Sequence, residues 1–326
     1  MPNFKFVFRL VLRIFFLSLP FFIYAILIYI TDPFNILRTS STIDENIKLQ
    51  YAAKLNEPLW TINQFNIKPK SSVLFGDSRM ILTNLNNINT ISGKNYSNMA
   101  FGGANLNEII KTFWYVSSKV RLSDVYFGLN FDFYNQLNNR DRVTGAIAVF
   151  KNKLLYFTNL NVLEAFYYCI RDQFFEMKVD LERPFINFSL SKDAYWKWKL
   201  NQIGSKFYDS YVYPHQYYDE LRKIRIYCLK HHIHLTFIIL PVHQDLQKFL
   251  INKNLTGAEY RFINDIRHFG DVYDFNVSNY LTTNRDNFVD PIHGKKIIYD
   301  TLVKIVFSKG LKNIYITNIY KFYPSY

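Results

Sequence analysis

The stretch Ser72-Val73-Leu74-Phe75-Gly76-Asp77-Ser78-Arg79 decides how the chain is read. An apolar run with the look of a buried strand stops at a glycine, an acid and a serine. In open α/β sheets ligands gather in the crevice beyond the carboxyl ends of the strands, so a serine just past such an end is placed to meet a substrate. Alone, Gly-Asp-Ser says little, because chance supplies that tripeptide in roughly one chain in ten of this length. Two further motifs raise its weight: Asp290-Pro291-Ile292-His293 near the other end of the chain, and Gly128-Leu129-Asn130 between them. Together the three supply a nucleophile, an amide donor for an oxyanion, an orienting acid and a base.

Outward from that stretch, strand-like and helix-like segments alternate. Val73 to Phe75 reads as a first strand, Asn95 to Ala100 as a second and Val125 to Asn130 as a third, with His234 to Leu240 and Val272 to Phe275 later. Helical spacing runs through Leu106 to Val116, Gln216 to His231, Tyr260 to Phe269 and Lys295 to Phe307; in the last, Ile297, Ile298, Leu302 and Val306 recur on one face. The alternation predicts an α/β fold, a three-layer α/β/α sandwich whose sheet is mainly parallel. Between Phe133 and Tyr213 the rhythm breaks into irregular helices with aromatic clusters such as Phe166-Tyr167-Tyr168 and Tyr195-Trp196-Lys197-Trp198. Residues 134–213 are therefore read as an insertion into an α/β domain spanning 71–310. It serves either as a layer that thickens the core or as a substrate-binding cap, since insertions at strand ends often carry specificity. Residues 311–326 are left as a C-terminal tail.

The amino terminus bears on the compartment. Lys5, Arg9 and Arg13 precede a run with no charged residue from Ile14 to Thr31. At about 1.5 Å of rise per residue, such a helix nearly crosses a hydrocarbon core, helped by Val11, Leu12 and a snorkelling Arg13. Pro20 kinks it without forbidding it. The end of the run, Leu27-Ile28-Tyr29-Ile30, lacks the small residues that signal peptidase reads, so the expectation is an uncleaved anchor over 14–31. Positive residues stay inside, which leaves 1–13 in the cytoplasm and everything from Asp32 onward outside the cytoplasmic (inner) membrane, or periplasmic. Residues 32–70, punctuated by Pro33, Pro58 and Pro69 and carrying a short helix around Glu45 to Leu55, form a juxtamembrane connector too apolar to be disordered.

Composition narrows the function classes. With 326 residues, 49% of them hydrophobic and 18% aromatic, the chain can bury a sizeable core. Its net charge of +13 raises nucleic acid as a partner, but the basic residues are dispersed and show no nucleic-acid-binding motif. An anionic lipid surface or polymer fits at least as well, and no nucleic acid partner is expected. Cys169 and Cys228 are too few for a disulfide framework and read as buried thiols. His231, His232 and His234 lack acidic or cysteine partners at ligand spacing, and no metal is expected there. His243, just past a strand end, reads as a surface loop residue ahead of one that lines the same crevice, and the lysines from Lys295 to Lys321 as a solvated face ahead of a contact for anionic lipid or polymer.

With these motifs placed, the chain from Ser71 to Phe307 resembles the SGNH (GDSL-type) hydrolase superfamily, and in particular its membrane-anchored, extracytoplasmic bacterial branch, which includes proteins that work beside envelope acyl-transfer systems. The resemblance implies a flavodoxin-like sandwich. It makes Ser78 the nucleophile and its backbone N–H one oxyanion donor. In Asn98-Met99-Ala100-Phe101-Gly102-Gly103 it assigns a second donor to the Gly103 N–H, favoured over Gly102 by its spacing from Asn98. The Asn130 amide is the third donor, His293 the base and Asp290 the residue that orients it. Arg79 stands where leucine is common, Phe131 where aspartate is common, and Ala100 where a first glycine is often found. None of these removes a catalytic group, but they prevent borrowing a substrate from the secreted esterases. The implied activity is a serine esterase or O-acyltransferase acting on acyl esters of an extracytoplasmic glycan, lipid or envelope polymer, with no cofactor. The alternative is an inactive scaffold of the same fold that assists a multispanning membrane acyltransferase.

Overall fold

In the computed structural model, which describes residues 4–39, 41–181, 191–308 and 319–324, the run that ends in Gly-Asp-Ser is a strand whose four residues are all buried, β1 (Ser72–Phe75). With β2 (Tyr96–Asn98), β3 (Asp124–Leu129), β4 (His234–Ile239), β5 (Asp271–Asp274) and β6 (Lys321–Tyr323) it makes a six-stranded sheet in the order β2-β1-β3-β4-β5-β6. Each pairing from β2 to β5 is parallel, whereas β6 lies antiparallel on β5, with Tyr273 opposite Phe322. The sheet is thus mixed, and the antiparallel edge falls in the segment read from sequence as a tail. Three residues carry no visible period, but the rings of Tyr273 and Phe322 meet at 4.8 Å across the pair.

Helices cover both faces, which is why β1 and β4 read as continuous apolar runs rather than alternating ones. On one face Leu74, Tyr126, Ile238 and Tyr273 pack with Ile88 of the helix Leu85–Ser92 and with Ile298, Leu302, Val303 and Val306 of the helix Lys296–Phe307. On the other, Phe75, Phe127 and Phe237 stack in a row at 5.2 and 5.6 Å between ring centres. Phe113 of the helix Leu106–Ser117 meets Phe75 edge-on and is met in turn by Tyr227 of the helix His215–Lys230. Because β1 to β5 run parallel, their carboxyl ends lie along one edge of the sheet, where the polar motifs follow.

The described chain divides into two compact units, residues 1–63 with 145–183 and residues 64–144 with 184–326. The sheet belongs to the second; of the segment 134–213, residues 145–183 group with the first. In the first unit the helix Phe4–Thr31 is longer than the expected 14–31, because arginine continues a helix well and Arg9 and Arg13 sit within it. It is long and apolar enough to cross a membrane and is almost wholly exposed. It ends on Asp32, whose buried carboxylate accepts the N–H groups of Ile36, Leu37 and Arg38 at 2.9–3.0 Å and the hydroxyl of Tyr156 at 2.9 Å. The helices Glu45–Leu55 and Leu160–Phe175 pack together there, with Tyr51 donating to Asp172 at 2.9 Å. Residues 311–318 and 325–326, ten of the sixteen in the expected tail, together with 309–310 and with 182–190 of the expected insertion, lie outside the described residues.

Candidate active site

The site grows from the end of β1. Asp77 is extended and caps the one-turn helix Ser78–Ile81, its carboxylate accepting the Arg79 N–H at 2.9 Å, so Ser78 begins a turn at the strand's end with its side chain half-buried. Two glycines make this turn possible. A Cβ on Gly76 would stand 2.8 Å from Met80 Cβ, and one on Gly128, in β3, 2.5 Å from Met80 Sδ. Met80 fills the gap the missing side chains leave and pins the turn against two strands. Asn98, at the end of β2, adds a third tie by donating to the Met80 carbonyl at 2.9 Å.

The second motif meets the first in space. Asp290 Oδ1 accepts the N–H groups of Ile292 at 2.9 Å and His293 at 2.8 Å, folding Asp290-Pro291-Ile292-His293 into a compact turn. The other carboxylate oxygen lies 2.8 Å from His293 Nδ1, and His293 Nε2 lies 2.9 Å from Ser78 Oγ. Burial raises the pKa of Asp290, but its hydrogen bond to and attraction for His293, together with the two backbone donors, outweigh burial and hold it below its ordinary value. An ionised carboxylate so placed can orient an imidazole through Nδ1–H and turn Nε2 to the serine hydroxyl. The turn is braced from behind by the Pro291 carbonyl, which accepts the His243 N–H at 2.9 Å.

His243 itself corrects the sequence reading. It is buried rather than on a surface loop: its ring meets Trp196 at 4.9 Å and Phe288 at 5.4 Å, and its Nδ1 accepts the Asp245 N–H as the cap of the helix Gln244–Asn252. Burial lowers its pKa, Asp245 opposing. A histidine between a strand end and a helix start caps as aspartate or asparagine does, a role its sequence context left ambiguous.

Ser78, His293 and Gly103 line one cavity of about 450 Å³. Gly103 needs its missing side chain, since its φ is +59°, in the left-handed region. Asn130 does not reach the cavity wall. It is buried one residue past β3, its amide nitrogen donates to the Leu240 carbonyl at 2.8 Å, and its Oδ1 has no hydrogen-bond partner among the described residues.

A group the sequence reading left unexplained lies behind the serine. Arg79 is fully buried; its Nη2 is 2.9 Å from Asp77 and 3.6 Å from Asp132, and its guanidinium stacks 5.1 Å from the Phe133 ring centre. Burial works against its charge, but Asp77 and then Asp132 outweigh burial and raise its pKa. For Asp132 burial dominates and raises the pKa, Arg79 offsetting part of it. An arginine beside a candidate nucleophile at a strand end demands a buried acid, and Asp132, two residues past Asn130, was the available signal.

No protein-family model and no curated protein matches the chain. Among solved structures, it is similar to a proposed acylhydrolase of Bacteroides fragilis, with 12% identity over 81% of this chain and 95% of that one and a TM-score of 0.35. It is also similar to a proposed platelet activating factor of Streptococcus pneumonia, with 13% identity over 80% and 92% and a TM-score of 0.37. The functional reading rests on the geometry of the site itself.

Proposed function

We propose that this chain is a membrane-anchored serine esterase or O-acyltransferase of the flavodoxin-like SGNH type, acting on acyl esters of a glycan, lipid or envelope polymer outside the cytoplasmic membrane. One observation carries the reading: residues 78 and 293, remote in sequence, form a hydrogen-bonded relay from Ser78 Oγ through His293 to Asp290 with steps of 2.9 and 2.8 Å. Ser78 and His293 both line a cavity of about 450 Å³.

In the reaction His293 Nε2 takes the hydroxyl proton as Ser78 Oγ attacks the acyl carbonyl, and Asp290 stabilises the imidazolium that forms. The N–H groups of Ser78 and Gly103 bind the oxyanion, and Asn130, which stands outside the cavity lining, joins them as third donor if the second hydrogen of its amide is drawn toward the bound substrate. Collapse expels the alcohol, which leaves with the proton from His293, and Ser78 holds the acyl group as an ester. Water or an acceptor hydroxyl then gives its proton to His293 and attacks that ester, and His293 returns the proton to Ser78 Oγ as it leaves, which restores the serine. Hydrolysis and transfer use the same residues and differ in the second nucleophile. The apolar helix Phe4–Thr31 is the anchor, with its amino terminus inside.

The buried setting of Asn130, its amide turned to Leu240, is what favours the second reading, a scaffold that binds an acylated partner or assists a multispanning acyltransferase without turnover. Labelling of the detergent-solubilised chain by a fluorophosphonate probe separates the two. The esterase reading expects labelling that Ser78→Ala and His293→Ala abolish; a folded protein that never labels is the scaffold.

A further inference from the structure

The cavity in front of Ser78 is lined by more charge than its chemistry requires. Four cationic side chains, Arg79, Arg140, Lys199 and Lys206, line it against two carboxylates, Asp77 and Asp132, an excess of two positive charges without counting His293. The carboxylates are spent on Arg79. Lys199 and Lys206 are seven residues apart on the helix Lys192–Tyr208, and Gln202 and Ile203 between them also line the cavity, so one face of that helix is turned to it. Neither lysine has an acidic partner within ion-pair distance among the described residues: Lys199 donates to Gln202 at 3.3 Å, and Lys206 lies 5.0 Å from the Phe207 ring centre. Arg140 is 3.7 Å from Glu108, a carboxylate already held by Arg142 at 2.8 Å, and it donates to the Gly103 carbonyl.

Bringing like charges together costs free energy unless something of opposite sign offsets it. Lys206 reaches solvent, yet partial loss of hydration, then Arg140 and Lys199, lower its pKa, with Asp132 opposing but not overcoming them. At the cavity wall Arg79 is 1% exposed and its Nη1 has no hydrogen-bond partner among the described residues. A buried guanidinium donor left over beside three cations fits an oxyanion, because planar N–H groups and ammonium hydrogens together match phosphate and carboxylate oxygens.

We propose that this cavity selects acyl esters that carry a negatively charged group, phosphate or carboxylate, close to the scissile bond, held by Lys199, Lys206 and Arg140 with Arg79 behind. This rests on the esterase reading and names the substrate class of that same site. The segment read as either core padding or a cap then contributes the specificity helix.

The test uses the full chain in neutral detergent with three acetyl esters: of glycerol, of glycerate and of glycerol phosphate. The expected kcat/KM is about tenfold higher or more for the charged esters than for the neutral one, the value of one good hydrogen bond to a charge, and the preference shrinks with salt. Preference for glycerate or for glycerol phosphate identifies the anion. In the double variant Lys199→Met, Lys206→Met the charged-to-neutral ratio falls toward one, and in the Lys→Arg pair it is retained. Fluorophosphonate labelling with equal turnover of all three esters overturns the anion inference and leaves the esterase standing. If no ester turns over and no label is taken up, the esterase reading fails, and calorimetry with inorganic phosphate decides the anion site alone. Binding lost in the double variant sustains it; no binding by the wild-type chain overturns it.

Discussion

Arg79 and Asp132 form a buried pair, Nη2 to Oδ2 at 3.6 Å, in the wall of the cavity that Ser78 also lines. Removing one partner of such a pair leaves a charge in a poorly solvating interior, at a cost of about 3–5 kcal/mol when no other partner exists. Arg79 keeps Asp77, so Asp132→Ala is expected near the lower end, about 3 kcal/mol. A fall in thermal midpoint of the detergent-solubilised Asp132→Ala chain checks it; an unchanged midpoint would overturn it.

Asp290→Asn tests the relay without removing its shape. An amide presents the wrong hydrogen to His293 Nδ1, and loss of about 10⁴-fold in labelling rate is expected. Because the Asp290 carboxyl is held below its ordinary value, its contribution to stability is present above the unfolded pKa and is lost as pH falls through the lower folded one. The midpoint difference between wild type and variant should therefore persist at neutral pH and shrink in acid. A difference that grows on acidification would contradict the assignment.

Asn130→Ala separates the oxyanion donor from a structural amide. If the second amide hydrogen faces the developing oxyanion, turnover drops about 10²- to 10³-fold with KM little changed. If the amide serves the Leu240 carbonyl alone, the variant loses stability and keeps its rate per folded molecule. Rate and thermal midpoint measured on the same samples tell them apart.

The parallel strands were legible because each is an apolar run bounded by polar turns. Val73 to Phe75 and His234 to Ile239 coincide with their predicted segments to within a residue or two. The edge strand Lys321–Tyr323 was not, since three residues hold no period and their partner lies some fifty residues earlier in Asp271–Asp274. At the site, the letters Ser78, Asp290 and His293 could be read as a set because their roles are chemically distinct. What could not be read was the packing that makes room for them. The use of Gly76 and Gly128 depends on Met80, and the charge of the cavity depends on which face of the helix Lys192–Tyr208 turns inward; both are facts of tertiary contact.

Glu259 gives the second unit a stability that falls with rising pH. Burial, and then Asp274, push its carboxyl up to about 7, while Asn276 donates to it at 3.0 Å; Asp274 is itself raised to about 6, chiefly by burial. A carboxyl raised in the folded state binds its proton more tightly than in the unfolded chain. Stability is therefore greatest below the unfolded value near 4.3 and declines as pH rises through about 7, where both carboxyls are charged. Glu259→Gln should raise the thermal midpoint relative to wild type by about 2–4 °C at pH near 8, what roughly 1 kcal/mol does in a domain of this size, and change it little near pH 4. Equal shifts at both pH values would sink the explanation.

Gly128→Ala carries the packing argument to the nucleophile. The added methyl meets Met80 Sδ at 2.5 Å, too close for carbon and sulfur, and Met80 lies two residues beyond Ser78 on the same short turn. Either Met80 rotates away or the turn shifts, and a displacement near 1 Å at a nucleophile can cost about 10²-fold. The expected result is slowed fluorophosphonate labelling with a modest loss of stability. Because the clash is with one flexible side chain, Met80→Ala in the same molecule should relieve it and recover part of the rate, although Met80→Ala alone opens a cavity at a fully buried site and costs about 2–5 kcal/mol. Rate recovery in the double variant, measured against both singles, is the signature of Met80 as the link between β3 and Ser78. Additive losses would mean that Gly128 acts on the serine by some other route.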